Sequence, residues 1–411
     1  MRDAIDTLAV GWKTDPRACE PTMPSMRTTF AGFPRPGARA GVRNDVFIVS
    51  ATGLTGPSAR RIHAQVKGAK LVCSPWDTGP LGDDRETLQR ALRGIVTHPN
   101  AGAVLIISAN KNRATALAQD AAKHGRRVEA LILDDCGHDA LALSDRGVRL
   151  AAQLTMACSR DRREEVPAGD LFVGLECGRS DPSSGLFANP LLGAFADRLI
   201  DIGGTAVIGE TTEWLGAEHL LEARATNPQV AARIGAAVRR REKMAVAAGI
   251  DLRGNNPGPT NIAAGLSTIE EKSLGNITKS GSHPILDVLD YAEAPPSSGL
   301  YLMDAPAYAP ESLTGFTAAG AQLHLFTTGV GNSFVSALSP TLKVSANPHT
   351  VARLPEQIDI DATAALRGEQ STDELCDMAW DRVLDVASGT LTWGEVLAEG
   401  EEVISRFGPA L

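Results

Sequence analysis

Four short aliphatic runs between residues 171 and 326 of the 411-residue chain end on residues able to do chemistry. LFVGL (171–175) runs into Glu176-Cys177-Gly178-Arg179-Ser180-Asp181, and TAVIG (205–209) into Glu210-Thr211-Thr212-Glu213. GLYLM (299–303) ends at Asp304, and QLHLF (322–326) at Thr327-Thr328-Gly329-Val330-Gly331-Asn332. Carboxylates gathered in one cleft bind a divalent cation, or shift each other's proton affinity for acid–base work. Glu210 and Glu213 are three apart, and Glu218-His219 follows; Glu and His are competent ligands for Fe²⁺ or Mn²⁺. His219 is equally a packing or hydrogen-bonding residue, since it and Glu218 are consecutive on a predicted helix and point apart. Cys177 can be a nucleophile, a metal ligand or a small buried residue. Any one strand end is also explained by helix capping, for which Asp, Ser and Thr are favoured. Four together point to a site.

These residues need elements to hold them. VFIV (46–49), KLVC (70–73), AVLII (103–107) and VEALIL (128–133) alternate with helical patterns at 60–66, 84–96, 113–124 and 146–164. Aliphatic strands between amphipathic helices indicate a parallel sheet covered on both faces. The charged end of 146–164, followed by Val-Pro-Ala-Gly (166–169), marks the boundary of a first α/β domain at 30–165. The rhythm restarts at 171 and continues through TLKVS (341–345), with helices expected at 190–200, 215–223, 228–248, 311–319 and 371–388. The fold class is thus α/β, two consecutive Rossmann-like or flavodoxin-like parallel-sheet domains, the larger (166–411) carrying the site. Residues 1–29 read as a flexible extension. The stretch 253–283, rich in Gly, Asn, Ser and Thr, reads as an ordered polar loop with a job. In open α/β sheets ligands bind beyond the carboxyl ends of the strands, where all four motifs fall.

Composition trims the function classes. A formal net charge of −9 argues against nucleic acid or an anionic membrane surface as partner. No run approaches the ~18 consecutive apolar residues of a membrane span. Six cysteines at 19, 73, 136, 158, 177 and 376 lack CxxC spacing, which suggests free thiols in a reducing compartment, the cytoplasm by default. Glycines number 40, about one residue in ten, and imply backbone that comes close to something.

Several stretches resemble the altronate/galactarate dehydratase family. They are FPRPGARAGVRN (33–44), GLECGRSD (174–181), GETTE (209–213), GAEHL (216–220), NPGPTN (256–261), GLSTIEEKSLG (265–275), LMDAP (302–306) and FTTG (326–329). The resemblance runs from about residue 30 to the C-terminus and implies a lyase. Such an enzyme removes water from a sugar acid or small 2-hydroxy acid to give a 2-keto acid, typically with iron; Mn²⁺ and Mg²⁺ are the other cations considered. A sulfolactate sulfo-lyase branch eliminates sulfite instead and carries the small β-rich SAF-type domain as a separate subunit, which makes this chain similar to its large subunit. A catalytically idle ligand-binding relative is a further alternative. Where the dehydratases typically carry cysteines and a histidine segment in the first domain, this sequence reads Ala51-Thr52-Gly53, Ser108-Ala109-Asn110-Lys111 and Ser74 to Gly79. Arg179 stands where a second glycine is common and brings a positive charge.

On this reading the catalytic candidates are Glu176, Glu210, Lys272 (base or carboxylate clamp) and Asp304. Substrate would be held by Arg43, Ser180, Asn256, Thr327, Thr328 and Asn332, and a metal by Glu210, Glu213 and His219. The expected partners are a small anionic hydroxy acid, the small β-rich subunit and further copies of the chain in a homo-oligomer.

Overall fold

The computed structural model describes residues 26–252 and 256–407, so most of the expected extension lies outside the described residues. Among the described residues, fourteen strands form three sheets. The first parallel sheet has the order β4-β3-β5-β6, from β3 (Asp45–Ser50), β4 (Ala69–Cys73), β5 (Ala101–Ser108) and β6 (Arg127–Ile132). The second has the order β10-β11-β9-β8-β12-β13-β14. Its members are β8 (Phe172–Cys177), β9 (Thr205–Ile208), β10 (Ile285–Leu289), β11 (Gly299–Met303), β12 (Leu323–Thr327), β13 (Thr341–Ser345) and β14 (Ile360–Asp361).

Both sheets are covered on both faces, which is why their strands read as unbroken aliphatic runs. Along β5, Ala103, Leu105 and Ile107 enter one core, while Val104 and Ile106 point the other way into a second. That second core does not stop at the first sheet. It continues through Phe172, Val207 and Tyr301 of the larger sheet and Phe316 of the helix Ala309–Ala318, so the two α/β units share packed side chains. The helix Asp83–Thr97 presses directly on the helix Ala309–Ala318, where a Cβ at Gly94 would lie 1.7 Å from the Ala318 carbonyl oxygen. Gly94→Ala is therefore expected to destabilise the protein by about 1–3 kcal/mol through forced separation of these helices, measurable by urea unfolding.

A polar seam crosses the same junction. His98 Nε2 donates to the Ala321 carbonyl at 3.1 Å, while its Nδ1 accepts from the Asn100 amide at 3.0 Å. Asn100 Nδ2 reaches the carbonyls of Gln322 (2.8 Å) and Leu338 (2.9 Å). Burial holds His98 neutral and lowers its pKa to about 3; burial, and then His98, do the same for His324 on β12. An unfolded chain takes up these protons near pH ~6.5, whereas the folded protein refuses them. Stability is thus expected to fall as pH drops from about 6.5 toward 3, with a shallower limb in His324→Leu when urea midpoints are compared.

Two expectations need correction. The pattern read as a helix over 146–164 is a helix at Ala140–Cys158, followed by a turn and the strand β7 (Glu164–Pro167). Arg and Glu are good helix formers and no Gly or Pro lies between Cys158 and Pro167, so nothing local marks the stop. Instead β7 pairs antiparallel with β1 (Thr29–Arg35), and β1 with β2 (Ala38–Gly41), in a three-stranded sheet. The stretch 253–283 is largely helical rather than a loop, with helices at Pro259–Ala263 and Ile269–Ile277 and a 3₁₀ turn at Thr278–Ser280; residues 253–255 lie outside the described residues.

Candidate active site

The strand order of the larger sheet locates its crevice. From β8 the chain proceeds to β9 on one side and later returns to β12 on the other, so the order reverses at β8. Such a reversal parts the loops beyond the carboxyl edge. A cleft of about 630 Å³ opens there, lined by Cys177, Arg179, Ser180, Glu210, Glu213, Lys272, Asn332 and Phe334 among others. Two of the lining residues, Arg179 (φ +55°) and Glu210 (φ +58°), hold left-handed backbone that non-glycine residues avoid. Strain of this kind persists only where surrounding structure fixes it, and it concentrates at functional sites.

The helix Ile269–Ile277 and the turn after it lay Lys272, Asn276 and Lys279 along one face toward the ends of β8 and β9. Lys279, with no exposed surface, donates to Glu176 Oε1 at 2.7 Å, to Cys177 Sγ at 3.4 Å and to Asn276 Oδ1. The other Glu176 oxygen accepts from the Ser312 hydroxyl at 2.6 Å. Lys272 pairs with Glu213 Oε1 at 2.7 Å and also donates to Asn256 Oδ1 at 2.8 Å. Cys177 Sγ lies 3.0 Å from Asn276 Oδ1 and 3.8 Å from Glu213 Oε2.

Glu210 is the exception in this satisfied network. Its Oε2 is buried with no hydrogen-bond partner. Burial pushes its carboxyl well above the usual carboxylate range, and the nearby Glu176, Glu213 and Cys177 push it further. Burial also acts upward on Glu213, but the ammonium groups of Lys272 and Lys279 outweigh it and hold that carboxyl below its ordinary value. Burial would strip the proton from Lys272, yet Glu213 keeps the lysine charged and above its ordinary value. Burial raises the Cys177 thiol, which Lys279 only partly offsets. Two neighbouring carboxyl groups with proton affinities driven apart are the pattern of acid–base sites.

The same orphaned oxygen decides whether a cation fits. Donor atoms of Glu176, Cys177 and Glu210 lie within 4.8 Å of one another, all buried. Carboxylate oxygens with one thiolate suit a borderline divalent metal, and a cation would pair Glu210 and relieve its unpartnered oxygen. These three residues fit. His219 does not join them: it sits exposed on the short helix Glu218–Glu222 and belongs to no such cluster among the described residues. Glu213 is held instead by Lys272.

Other expected site residues go elsewhere. Asp304 ends β11, one strand beyond β9, and is gripped by Arg240, Arg241 (2.9 Å) and the Thr211 hydroxyl (2.7 Å). It faces a separate cleft of about 720 Å³ whose arginines, Arg90, Arg240 and Arg241, are all paired with acids. Arg43 is a tie between chain segments. It forks onto Glu395 at 2.7 and 2.8 Å and donates to the carbonyls of Val386 and Thr390. Thr327 is buried beneath the cleft and bonded to Asn189, and the Thr328 hydroxyl caps the Gly331 amide. Ser180 and Asn332 do line the cleft, and Asn256 reaches it through Lys272. Lys279, Asn276 and Ser312 were missed; for the first two the spacing 272, 276, 279, two turns of one helical face, was the available signal.

Fold and site together define an α/β enzyme with a buried carboxylate–lysine centre. The family model described as D-galactarate/altronate dehydratase, C-terminal, matches residues 168–410, and that of the second domain of D-galactarate dehydratase/altronate hydrolase matches 32–159. The chain is 35% identical to the (2R)-sulfolactate sulfo-lyase subunit beta of Chromohalobacter salexigens, over 92% of this chain and 97% of that one. It is 33% identical to an altronate dehydratase of Bacillus subtilis, over 96% of this chain and 81% of the relative. An altronate dehydratase of Escherichia coli is 31% identical over 92% and 78% respectively. The chain belongs to the galactarate/altronate dehydratase family and is an enzyme of the lyase class, dehydratase being the main reading. No helix among the described residues is long and apolar enough to cross a membrane.

Proposed function

We propose that this chain is the large subunit of a metal-assisted lyase that takes a small 2-hydroxy acid or sugar acid to a 2-keto acid by β-elimination. The observation that carries the reading is the unpartnered, buried Glu210 oxygen beside Glu176 and Cys177, next to the charged Lys272–Glu213 pair. Glu176, Cys177 and Glu210 would hold the cation, Fe²⁺ before Mn²⁺ or Mg²⁺. When bound, it supplies Lewis acidity to the oxygens of the substrate.

The chain's own residues do the rest. Glu213, kept ionised by its lysines, takes the proton alpha to the substrate carboxylate. The electron pair of that C–H bond becomes the new C2–C3 double bond as the substituent on C3 departs. Lys272 gives a proton to the departing hydroxyl, which leaves as water. Protonation of Glu213 removes the charge that had raised the Lys272 pKa, so the lysine becomes a stronger acid as the step proceeds. The enol then takes a proton at C3 from Glu213 and gives up its hydroxyl proton to Lys272, which yields the keto acid and restores both groups. Lys272 thus serves as acid and clamp rather than as base, and Ser180, Asn332 and Asn256 border the substrate.

A second reading has sulfite as the leaving group, supported by the near-full-length match to the sulfo-lyase beta subunit. On either reading the chain works in the cytoplasm, as a homo-oligomer joined by a separate small β-rich SAF-type subunit. Purified protein with Fe²⁺ under anaerobic conditions, given a panel of hydroxy acids, is expected to release 2-keto acid. Sulfite assayed in the same samples separates the two leaving groups, and keto acid from no substrate overturns the proposal.

A further inference from the structure

The cleft carries two cations among its described lining residues, and one of them is uncommitted. Lys272 is neutralised by Glu213, whereas the exposed Arg179 side chain forms no ion pair or hydrogen bond among the described residues. Its backbone, by contrast, is pinned. The Arg179 carbonyl accepts from the amides of Gly329 and Val330 at 3.3 Å each, the Gly178 amide donates to Thr327, and the Ser180 carbonyl accepts from Asn261. With both neighbours tied down, the left-handed conformation at 179 cannot relax, and an arginine there is strained in a way a glycine is not. A long cationic side chain is thus kept at the position where the fold would be content with none.

Resting on the lyase reading above, we infer that Arg179 is a specificity residue that selects substrates with a second anionic group, a carboxylate or sulfonate on the far side of the reacting carbons. A guanidinium presents a planar fork matched to two oxygens of such a group. The substrate's first carboxylate lies at the inner end of the cleft with Lys272 and the cation ligands. Arg179 receives the second, one residue beyond Gly178. Glu399 and Glu401 line the same cleft and repel an anion, so an unclamped second charge would count against binding. Arg179 turns that penalty into a preference.

The test uses two 2-hydroxy acids that differ by one charge, L-malate and L-lactate, titrated calorimetrically into the full chain at pH 7.5. Wild-type protein is expected to bind malate at least tenfold more tightly than lactate. Arg179→Gly should erase the preference by weakening malate, and Arg179→Lys should retain part of it. Thermal unfolding of Arg179→Gly at or above the wild-type midpoint shows that the loss is not misfolding. No malate preference in the wild-type protein, or an unchanged preference in Arg179→Gly, overturns the inference. Because binding is read without turnover, failure of the lyase reading appears separately, as absence of keto acid from every hydroxy acid tested.

Discussion

Glu210→Gln is expected to lower turnover by about 10²–10⁴-fold while leaving the thermal midpoint unchanged or raised. The two halves of that result have one cause. Glu210 sits at the end of β9 in strained backbone with an oxygen that no protein group satisfies, which is a cost to the folded state. Glutamine keeps the shape and removes the carboxylate, so the fold loses nothing it depended on. The site, however, loses a carboxylate proposed to hold the cation. A residue retained for structure would show the opposite pattern, with the midpoint falling and activity declining in step. Keto-acid formation and scanning calorimetry on the same preparation distinguish the two.

The second large effect is on stability. Lys279→Met is expected to cost about 3–5 kcal/mol, because it strands Glu176 as a fully buried carboxylate without its counter-ion. The lysine also bridges Cys177 and Asn276, so its loss loosens three side chains of the centre at once. Pairing it with Glu176→Gln should recover a large part of that loss, since a neutral amide still accepts from Ser312 and leaves no bare charge. Chemical denaturation of the wild type, both single variants and the double variant gives the coupling directly. Recovery would separate the cost of an unpaired charge from simple loss of packing, which the double variant cannot repair.

The sequence carried the sheet architecture because buried parallel strands announce themselves as aliphatic runs. It also carried the position of the cleft, since strand ends in such sheets face the ligand. What it hid depended on distance. The antiparallel sheet joins Thr29–Arg35 to Glu164–Pro167, and the second segment, EEVP, is too short and too polar to signal a pairing so distant along the chain. Asp304 looked equivalent to Glu210 because both follow strands, yet β11 lies one strand farther from the reversal at β8, and Arg240 and Arg241 claim its carboxylate. Arg43 looked like an anion grip until Glu395, 352 residues away, supplied its partner. Lys279 was overlooked because a buried lysine is rare without a partner already in view. Its partner Glu176 comes from another element altogether.

The proposed lyase depends on a divalent cation held by Glu176, Cys177 and Glu210. Anaerobic equilibrium dialysis of the full chain against Fe²⁺, with the bound metal measured by elemental analysis, tests this most directly. One cation per chain in the wild type, lost in Glu210→Gln and in Cys177→Ala, is the predicted result. Wild-type protein that retains no metal, or variants that retain it fully, would contradict the account.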